Sequence, residues 1–343
     1  MITATRALDT GTFVIERMRE QPRRRRERDE LAQTARQAYL LAGGSAPTGG
    51  DWVWNSHRAT WIRKNAVVKV ARGPYGETSL RRDLAVRTHI HTDPATASWK
   101  AQVARTYWAG DCLGRFAVVE ERLPGVPLVD LMHDTGVLFA VADELAEIRR
   151  TTTHQVIADD RLFTWFQGPA STVSGVLRRW GDLRAADAVT AWAADAAGAM
   201  QGRTCRVALV HGDLWPGNVL LQGGSVSGLI DWDQAAFHDA ALHDVLHLTV
   251  FPAAKERRLD LGLVIREVLT DRTTKGELGG LLRERGIDHD CRDVGMSLRN
   301  ALIWYWLRHV ARMAREPGHA NNPRWVANNV VAVATAIEEG DYK

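Results

Sequence analysis

Polar residues suited to phosphoryl transfer lie between residues 210 and 233, which read VHGDLWPGNVLLQGGSVSGLIDWD. This stretch contains Asp213, Asn218 and Asp231. Phosphoryl transfer needs cations that neutralise phosphate oxygens and a carboxylate that orients or deprotonates the acceptor hydroxyl. Asp213 is a candidate for that carboxylate, and Asn218 and Asp231 offer the oxygen ligands that Mg2+ prefers.

Each of these three residues also has an ordinary structural explanation. Asp213 could cap a turn, Asn218 could form an Asx turn, and Asp231 could be a helix N-cap. Their joint appearance as H-G-D-x4-N, followed thirteen residues later by the second Asp, favours function. The stretch is therefore interpreted as a catalytic and metal-binding segment.

A strand-rich region precedes this segment in the chain. Short runs rich in Trp, Val and Ile predict strands at DWVWN, ATWIR, AVVKVA, QVARTYWAG and RFAVVEERL, between residues 51 and 123. Lys64-Asn65 predicts a hairpin turn between the second and third runs. The run GETSLRRDLAVRTHIHT has helical spacing. The result is five predicted strands with one helix after the third.

From about residue 124 the pattern becomes mostly helical, as in DLMHDTGVLFAVADELAEIRR and RAADAVTAWAADAAGAM. The strands VALVH, NVLLQ and SGLID interrupt it around the segment described above. These elements predict an α+β fold with an N-terminal helical arm (1–49), a small sheet-rich lobe (50–123) and a larger helical lobe (124–343).

Composition excludes several classes of protein. The 343 residues are 45% hydrophobic with a net charge of +3, which is ordinary for a globular chain and implies no polyanionic partner. No apolar run approaches the ~20 residues needed to span a bilayer, and MITATRALDTGTF lacks a signal-peptide core, so we expect a cytoplasmic protein without a membrane partner. Cys112, Cys205 and Cys291 show no CxxC spacing and are expected to be core thiols.

The basic run PRRRRERDE at residues 22–30 could in principle contact nucleic acid. A charge run that begins a helix, here RERDELAQTARQAYLLAG, is more often a solvated face. We therefore expect no nucleic-acid partner.

H-G-D-x4-N, followed by an apolar strand and I-D-W-D, resembles the aminoglycoside phosphotransferase family, within the protein-kinase-like superfamily that also contains choline kinases. The resemblance covers roughly residues 50–250. It implies a two-lobed protein-kinase-like fold and phosphorylation of a small-molecule hydroxyl. It also implies Mg2+ and ATP as cofactors, with GTP as the alternative nucleotide.

The resemblance also implies roles for individual residues in the second lobe. Asp213 matches the catalytic Asp, and His211 matches the motif's supporting His. Asn218 and Asp231 match the magnesium ligands. Asp244 matches a structural acidic residue that follows the metal-binding Asp.

In the first lobe, Lys69 of AVVKVA matches the phosphate-binding lysine. Asp83 is the expected ion-pair partner on the following helix, where the family usually has Glu, and Glu77 is the second candidate. The residues of VVEERLPG resemble the family's hinge, so the backbone from Glu121 to Leu123 is expected at the adenine edge.

The loop WNSHRATW, which would cover the phosphates, contains no glycine. Glycine in such a loop lets backbone N–H groups approach phosphate closely. Small or polar residues such as Ser56 and Ala59 are expected to allow the same approach.

Three other functions are weighed against this one. A protein kinase would carry an Arg before the catalytic Asp and an activation segment, but the motif reads His211-Gly212-Asp213 and few residues separate Asp231 from Asp244. A non-catalytic kinase-like binding module would explain the glycine-free loop. A zinc hydrolase is suggested by HDVLH, which sets His243 and His247 at i, i+4 on a helix.

Acceptor specificity is expected from the helical lobe. One or more of Trp304, Tyr305 and Trp306 could stack on a sugar or ring system, although consecutive residues cannot share one helical face. Basic residues outnumber acidic ones between residues 255 and 324. A polycationic acceptor requires carboxylates, so a neutral or anionic hydroxylated acceptor is favoured.

Overall fold

The computed structural model describes residues 22–45, 49–131, 134–148, 153–270, 277–284, 286–316 and 318–340. Within them the chain forms two compact units. The first contains the described residues up to Leu131, together with those in 143–151 and 211–236; the second contains the remainder. The predicted boundaries after residues 49 and 123 stay predictions, and residues 1–21 of the predicted arm lie outside the described residues.

The strands are β1 Asp51–Trp54, β2 Arg58–Ile62, β3 Ala66–Ala71, β4 Thr106–Cys112, β5 Arg115–Glu121, β6 Val126–Pro127, β7 Thr153–Val156, β8 Thr204–Val210, β9 Val219–Gln222, β10 Ser225–Leu229 and β11 Ala236–Asp239. The helices are α1 Pro22–Leu41, α2 Gly73–Thr92, α3 Thr135–Ile148, α4 Asp159–Leu162, α5 Gly168–Arg179, α6 Leu183–Met200, α7 Leu242–Glu256, α8 Leu261–Thr270, α9 Glu277–Glu284, α10 Ile287–Asp293, α11 Leu298–Arg315, α12 Pro323–Val326 and α13 Ala332–Glu338. The π-helical segments Phe163–Gln167 and Ala327–Val331 join α4 to α5 and α12 to α13.

The first unit contains an antiparallel five-stranded sheet in the order β1-β2-β3-β5-β4. The five predicted strands, the helix after the third and the turn at Lys64-Asn65 are confirmed. Because side chains alternate between the two faces of a strand, Val68 and Val70 of β3 pack with Leu31 and Ala35 of α1. Lys69 consequently projects from the opposite face, where α2 packs through Leu80 against β5.

The predicted catalytic segment follows β8 and forms a hairpin of β9 and β10, which pairs with the short strand β6. Gly223 and Gly224, both at positive φ, form the turn that connects β9 to β10. Asp231 lies two residues beyond the end of β10 rather than in the strand. Both ends of the hairpin therefore present polar residues, Asn218 before β9 and Asp231 after β10.

The second unit is built around α11, whose Trp304, Tyr305 and Trp306 are all fully buried. Helices α5, α6, α7, α8 and α13 contribute to the same core, so α11 is covered on every side at this point. The expectation that one of these three rings could stack on an acceptor is therefore wrong, because none is accessible. Cys112, Cys205 and Cys291 are free and buried, as predicted. No helix among the described residues has the length and apolar character needed to cross a membrane.

Candidate active site

Lys69 is surrounded by three carboxylates. Its Nζ lies 2.9 Å from Oε1 of Glu120, 3.4 Å from Oδ1 of Asp231 and 3.9 Å from Oδ2 of Asp83. Burial opposes the charge of Lys69, but Asp83, Glu120 and Asp231 together outweigh this effect and raise the pKa of the lysine. Lys69 is therefore a positive charge held between Glu120, Asp231 and Asp83, with Glu120 nearest.

Asp83 is fully buried and connects α2 to the segment after β10. Its Oδ2 accepts from Nε of Arg87 at 2.9 Å, and its Oδ1 accepts from the backbone N–H of Trp232 at 2.9 Å. The pKa of Asp83 is lowered because Lys69, Arg87 and the Trp232 amide outweigh its burial. Glu77, the second candidate partner of Lys69, instead forms an exposed ion pair with Arg81.

Glu120 and Arg87 complete the charge network around Lys69, and the sequence pattern did not predict a role for either residue. Nη2 of Arg87 lies 3.0 Å from Oε2 of Glu120, and its Nη1 donates to the Ala104 carbonyl at 3.1 Å. Two signals could have identified the pair. Arg87 is four residues from Asp83 on a helix, and Glu120 is a charged residue in a strand whose other central residues are apolar.

Asp231 has a left-handed backbone (φ 66°) at the N-cap position of a short 3-10 turn, Trp232–Gln234. Its side chain makes no cap hydrogen bond, so the N-cap interpretation does not explain this residue. Oδ2 accepts instead from Nη2 of Arg58, while Oδ1 faces Lys69. Burial would raise the pKa of Asp231, but Arg58 and Lys69 outweigh it and lower that pKa.

Asp213 and Asn218 contact each other directly. Nδ2 of Asn218 donates to the Asp213 carbonyl at 2.9 Å and lies 3.4 Å from Oδ2 of Asp213. The backbone N–H of Ile230 donates to the Asn218 carbonyl at 3.0 Å, which places Asn218 beside the residue that precedes Asp231. Asp213, Asn218 and Asp231, the three residues of the motif with predicted chemical roles, thus lie near one another within the first unit.

His211 is buried and braces this arrangement. Its Nε2 lies 2.9 Å from the Ile230 carbonyl, and its Nδ1 accepts from the Asp213 N–H at 3.4 Å. In this arrangement Nδ1 is the acceptor, so Nε2 is the ring nitrogen that donates to the Ile230 carbonyl. Gly212, between His211 and Asp213, has φ 79°, and a Cβ there would lie 2.1 Å from the Gln234 carbonyl oxygen. His211 therefore holds the backbone at both Asp213 and Ile230.

The glycine-free loop differs from the expectation based on Ser56 and Ala59. Ala59 is buried within β2, where it pairs with Val70 and cannot contribute to a loop. Oγ of Ser56 contacts Nε2 of His57 at 3.0 Å. Only Ser56 of this pair lies in the loop, and its hydroxyl is shared with the neighbouring ring.

The predicted hinge residues lie at the end of β5. The N–H of Glu121 donates to the Arg105 carbonyl at 2.8 Å, so this amide is already used within the chain. Leu123 is buried against Gly228 of β10, where an added Cβ would lie 2.7 Å from its Cδ1. Contact of either backbone with adenine stays a prediction.

His243 and His247 of the zinc hypothesis are buried in the second unit. Nδ1 of His247 hydrogen-bonds the Tyr305 hydroxyl at 2.7 Å, and the His243 ring packs against Trp304 and Tyr305. Within the described ranges, no group of three or more His, Cys, Asp or Glu side chains is arranged to hold a metal. Packing in the helical core accounts for this pair. Asp244, beside them, is fully buried.

Comparison with known proteins gives a family match over most of the chain. A family model described as the phosphotransferase enzyme family, APH, matches residues 51–274. The uncharacterised protein YcbJ of Bacillus subtilis (strain 168) is 44% identical over 52 residues, which represent 15% of this chain and only 17% of that relative.

Solved structures of similar fold include the ADP-bound aminoglycoside phosphotransferase APH(2'')-Ib, with 12% identity, a TM-score of 0.54 and coverage of 88% of this chain and 98% of that one. A thermostable mutant of the aminoglycoside phosphotransferase APH(4)-Ia, solved with ADP and hygromycin B, has 15% identity, a TM-score of 0.52 and coverage of 90% and 100%. At these identities the likeness concerns the fold alone. It confirms the predicted α+β, protein-kinase-like fold.

Proposed function

The chain belongs to the phosphotransferase enzyme family, and we propose that it transfers the γ-phosphate of ATP to a hydroxyl group of a small molecule with the help of Mg2+. One observation carries the proposal. Lys69 lies 3.4 Å from Asp231, and the motif that contains Asp231 also brings Asn218 against Asp213. A phosphate-binding cation, two candidate metal ligands and a candidate base thus come from one connected set of side chains.

The residues present fit a magnesium ion. Asp231 and Asn218 provide oxygen donors of the kind that Mg2+ prefers. Nδ2 of Asn218 already donates to Asp213, so Oδ1 is the atom that a cation would contact. Arg58 and Lys69 contact Asp231 and keep it deprotonated, so the residue presents the anionic form that a metal ion binds, and a bound Mg2+ would replace one of these contacts. Bound Mg2+ would neutralise negative charge on the nucleotide phosphates.

Asp213 would act on the acceptor. A carboxylate at this position accepts a hydrogen bond from the hydroxyl and holds the oxygen in line with the γ-phosphorus. It takes the proton as the new P–O bond forms and the bond from the γ-phosphorus to the β,γ-bridging oxygen breaks, which releases ADP. Asn218 and His211 hold the backbone of Asp213 from two sides. Lys69 would bind the phosphates, held by Asp83 and Glu120.

We propose a neutral or anionic hydroxylated acceptor rather than a polycation. Basic residues outnumber acidic ones between residues 255 and 324, although residues 271–276, 285 and 317 of this stretch lie outside the described residues. A protein kinase stays less favoured because of the short Asp231–Asp244 spacing. A non-catalytic module is less favoured because Lys69, Asp213, Asn218 and Asp231 are all retained.

Replacement of Asp231 by Ala tests the proposal. We expect Asp231→Ala to abolish magnesium-dependent ATP binding, measured by titration calorimetry with excess MgCl2 and again with chelator. Asp111→Ala is the matched control, because Asp111 is an exposed carboxylate in the same unit that pairs only loosely with Arg81, at 3.4 Å. An Asp231→Ala variant that binds MgATP as tightly as the parent would show that the metal assignment is wrong.

A further inference from the structure

In the loop between β1 and β2, the backbone N–H groups of Asn55, His57 and Arg58 form hydrogen bonds within the loop itself. Oδ1 of Asn55 accepts from the backbone N–H of His57 at 2.9 Å and of Arg58 at 2.7 Å. The N–H of Asn55 itself donates to the Arg58 carbonyl at 3.1 Å. A glycine-rich loop would direct such amides at phosphate. Here those of His57 and Arg58 are already satisfied within the loop.

The same loop is anchored to the start of α2. The backbone N–H of Arg72 donates to the His57 carbonyl at 2.7 Å, and the Arg72 guanidinium donates to the Asn55 carbonyl. Gly76 of α2 leaves room for this contact, since a Cβ there would lie 1.9 Å from the His57 carbonyl oxygen. Because the loop is hydrogen-bonded both internally and to the start of α2, the amides of His57 and Arg58 cannot turn outward without breaking several hydrogen bonds.

Arg58 is the first residue of β2. Its guanidinium, unlike the backbone amides of the loop, is directed at the proposed metal ligand Asp231. Its Nη2 donates to Oδ2 of Asp231, and its side chain is 16% exposed. An arginine guanidinium keeps its positive charge in proteins. A permanently charged group therefore contacts the proposed metal ligand on the side opposite Lys69, which contacts the other carboxylate oxygen.

We propose that Arg58 binds the nucleotide phosphates in this chain, in place of the backbone amides of a glycine-rich loop. This inference rests on the proposed function. A magnesium ion binds its ligands at about 2 Å, so a phosphate oxygen on the same ion as Asp231 would lie within about 3–4 Å of the carboxylate oxygen. A guanidinium that already contacts that carboxylate is within reach of the phosphate oxygen. Its five donors allow contact with both groups.

The alternative is that Arg58 only braces Asp231. A brace acts through Asp231, so its loss would weaken only the magnesium-dependent part of nucleotide binding, whereas loss of a phosphate-binding residue also weakens ADP when no Mg2+ is present. ADP with and without Mg2+ therefore separates the two roles, and adenosine, which shares the adenine and ribose but has no phosphate, controls for the rest of the site.

The experiment compares the parent protein, Arg58→Gln and Arg81→Gln by equilibrium binding of adenosine, ADP and ATP, in excess MgCl2 and again with chelator. Arg81 is a matched control because it is an arginine of the same unit in an exposed pair with Glu77. We expect Arg58→Gln to weaken ADP and ATP by about ten- to hundredfold under both conditions, as for loss of a charge-assisted hydrogen bond, and adenosine by less than about threefold. Arg81→Gln should bind all three ligands like the parent.

Arg58→Lys is the second variant in case Arg58→Gln unfolds. It keeps the charge near Asp231 but loses the planar fork, so ADP and ATP should weaken by about threefold to tenfold with adenosine unchanged. Unchanged ADP affinity in both variants, tighter ADP binding, a loss of ADP affinity confined to the measurements with Mg2+, or an equal loss for adenosine would each overturn the role of Arg58. A parent protein that binds no MgATP would overturn the proposed function, and this inference with it.

Discussion

At the scale of single residues, the site depends on a balance of buried charges. Lys69 and Arg87 are the cations, and Asp83 and Glu120 are carboxylates that contact both of them. Burial of an ion costs several kcal/mol unless a partner compensates it, so each member depends on the others. The shorter side chain of Asp83 still reaches both Lys69 and the Trp232 amide, and Glu120 provides the closest carboxylate to the lysine.

Replacement of Arg87 by Met should therefore destabilise the fold strongly. The change leaves Asp83 and Glu120 with one cation instead of two, and removal of one partner of a buried pair costs about 3–5 kcal/mol. The measurement is the free energy of unfolding by urea. Arg81→Met on the same helix is the control, because its i, i+4 pair with Glu77 is exposed and such pairs contribute about 0–1 kcal/mol. Equal losses for both variants would contradict the role of the buried network.

At the scale of elements, the sequence predicted what depends on local pattern. Alternating Trp, Val and Ile runs with turn residues between them were enough for the five strands and for the hairpin at Lys64-Asn65. The order of the strands was not predictable, because the placement of β5 between β3 and β4 depends on pairing between distant segments. The short strands β6, β7 and β11 were missed for a different reason, because a run of two to four residues carries little periodicity.

The residues of the site fall into the same two groups, those that the local sequence predicts and those that depend on distant contacts. Asp213, Asn218 and Asp231 share a compact motif that sequence can identify, whereas Arg58 gains its importance only from a contact 173 residues away in the chain. Nothing local distinguishes an arginine at the start of a strand. Glu120 and Arg87 likewise acquire their roles from β5 and α2 packing together.

Packing of α7 against α11 predicts a pH dependence. Burial in the helical core lowers the pKa of His243 from 6.5 to about 4, so the folded ring stays neutral while the unfolded chain is protonated. Between pH 6.5 and 4 the unfolded state binds more protons, and stability must fall as the pH falls. From pH 7 to 4.5 the parent should lose about 2 kcal/mol more unfolding free energy than His243→Gln.

Urea titrations of both proteins at the two pH values measure this difference. His89→Gln is the control for the same substitution at a histidine outside the core, because His89 is 45% exposed on α2. Identical pH dependence in the parent and His243→Gln would show that His243 is not held neutral by the core.

At the scale of the whole molecule, three features of the first unit bear on the proposed chemistry of this family fold. The similar aminoglycoside phosphotransferase structures cover about nine-tenths of the chain at 12–15% identity. The three features are a loop without glycine, an arginine on Asp231 and an aspartate on α2. These features leave the proposed chemistry intact, because each cation and carboxylate that it requires is present in that unit.

Transfer of label from γ-32P-labelled ATP measures the proposed reaction itself. The parent protein and Asp213→Asn are incubated with Mg2+ and hydroxylated acceptors, and with water as the acceptor where no other acceptor is phosphorylated. The variant keeps the size and polarity of Asp213 but loses its charge. Because general-base catalysis contributes about 10²–10⁴-fold, turnover of Asp213→Asn should fall by about that factor while its affinity for MgATP stays nearly unchanged. Turnover equal to that of the parent would show that Asp213 is not the base, and loss of ATP binding together with turnover would show that Asp213 holds the site together instead of carrying the reaction.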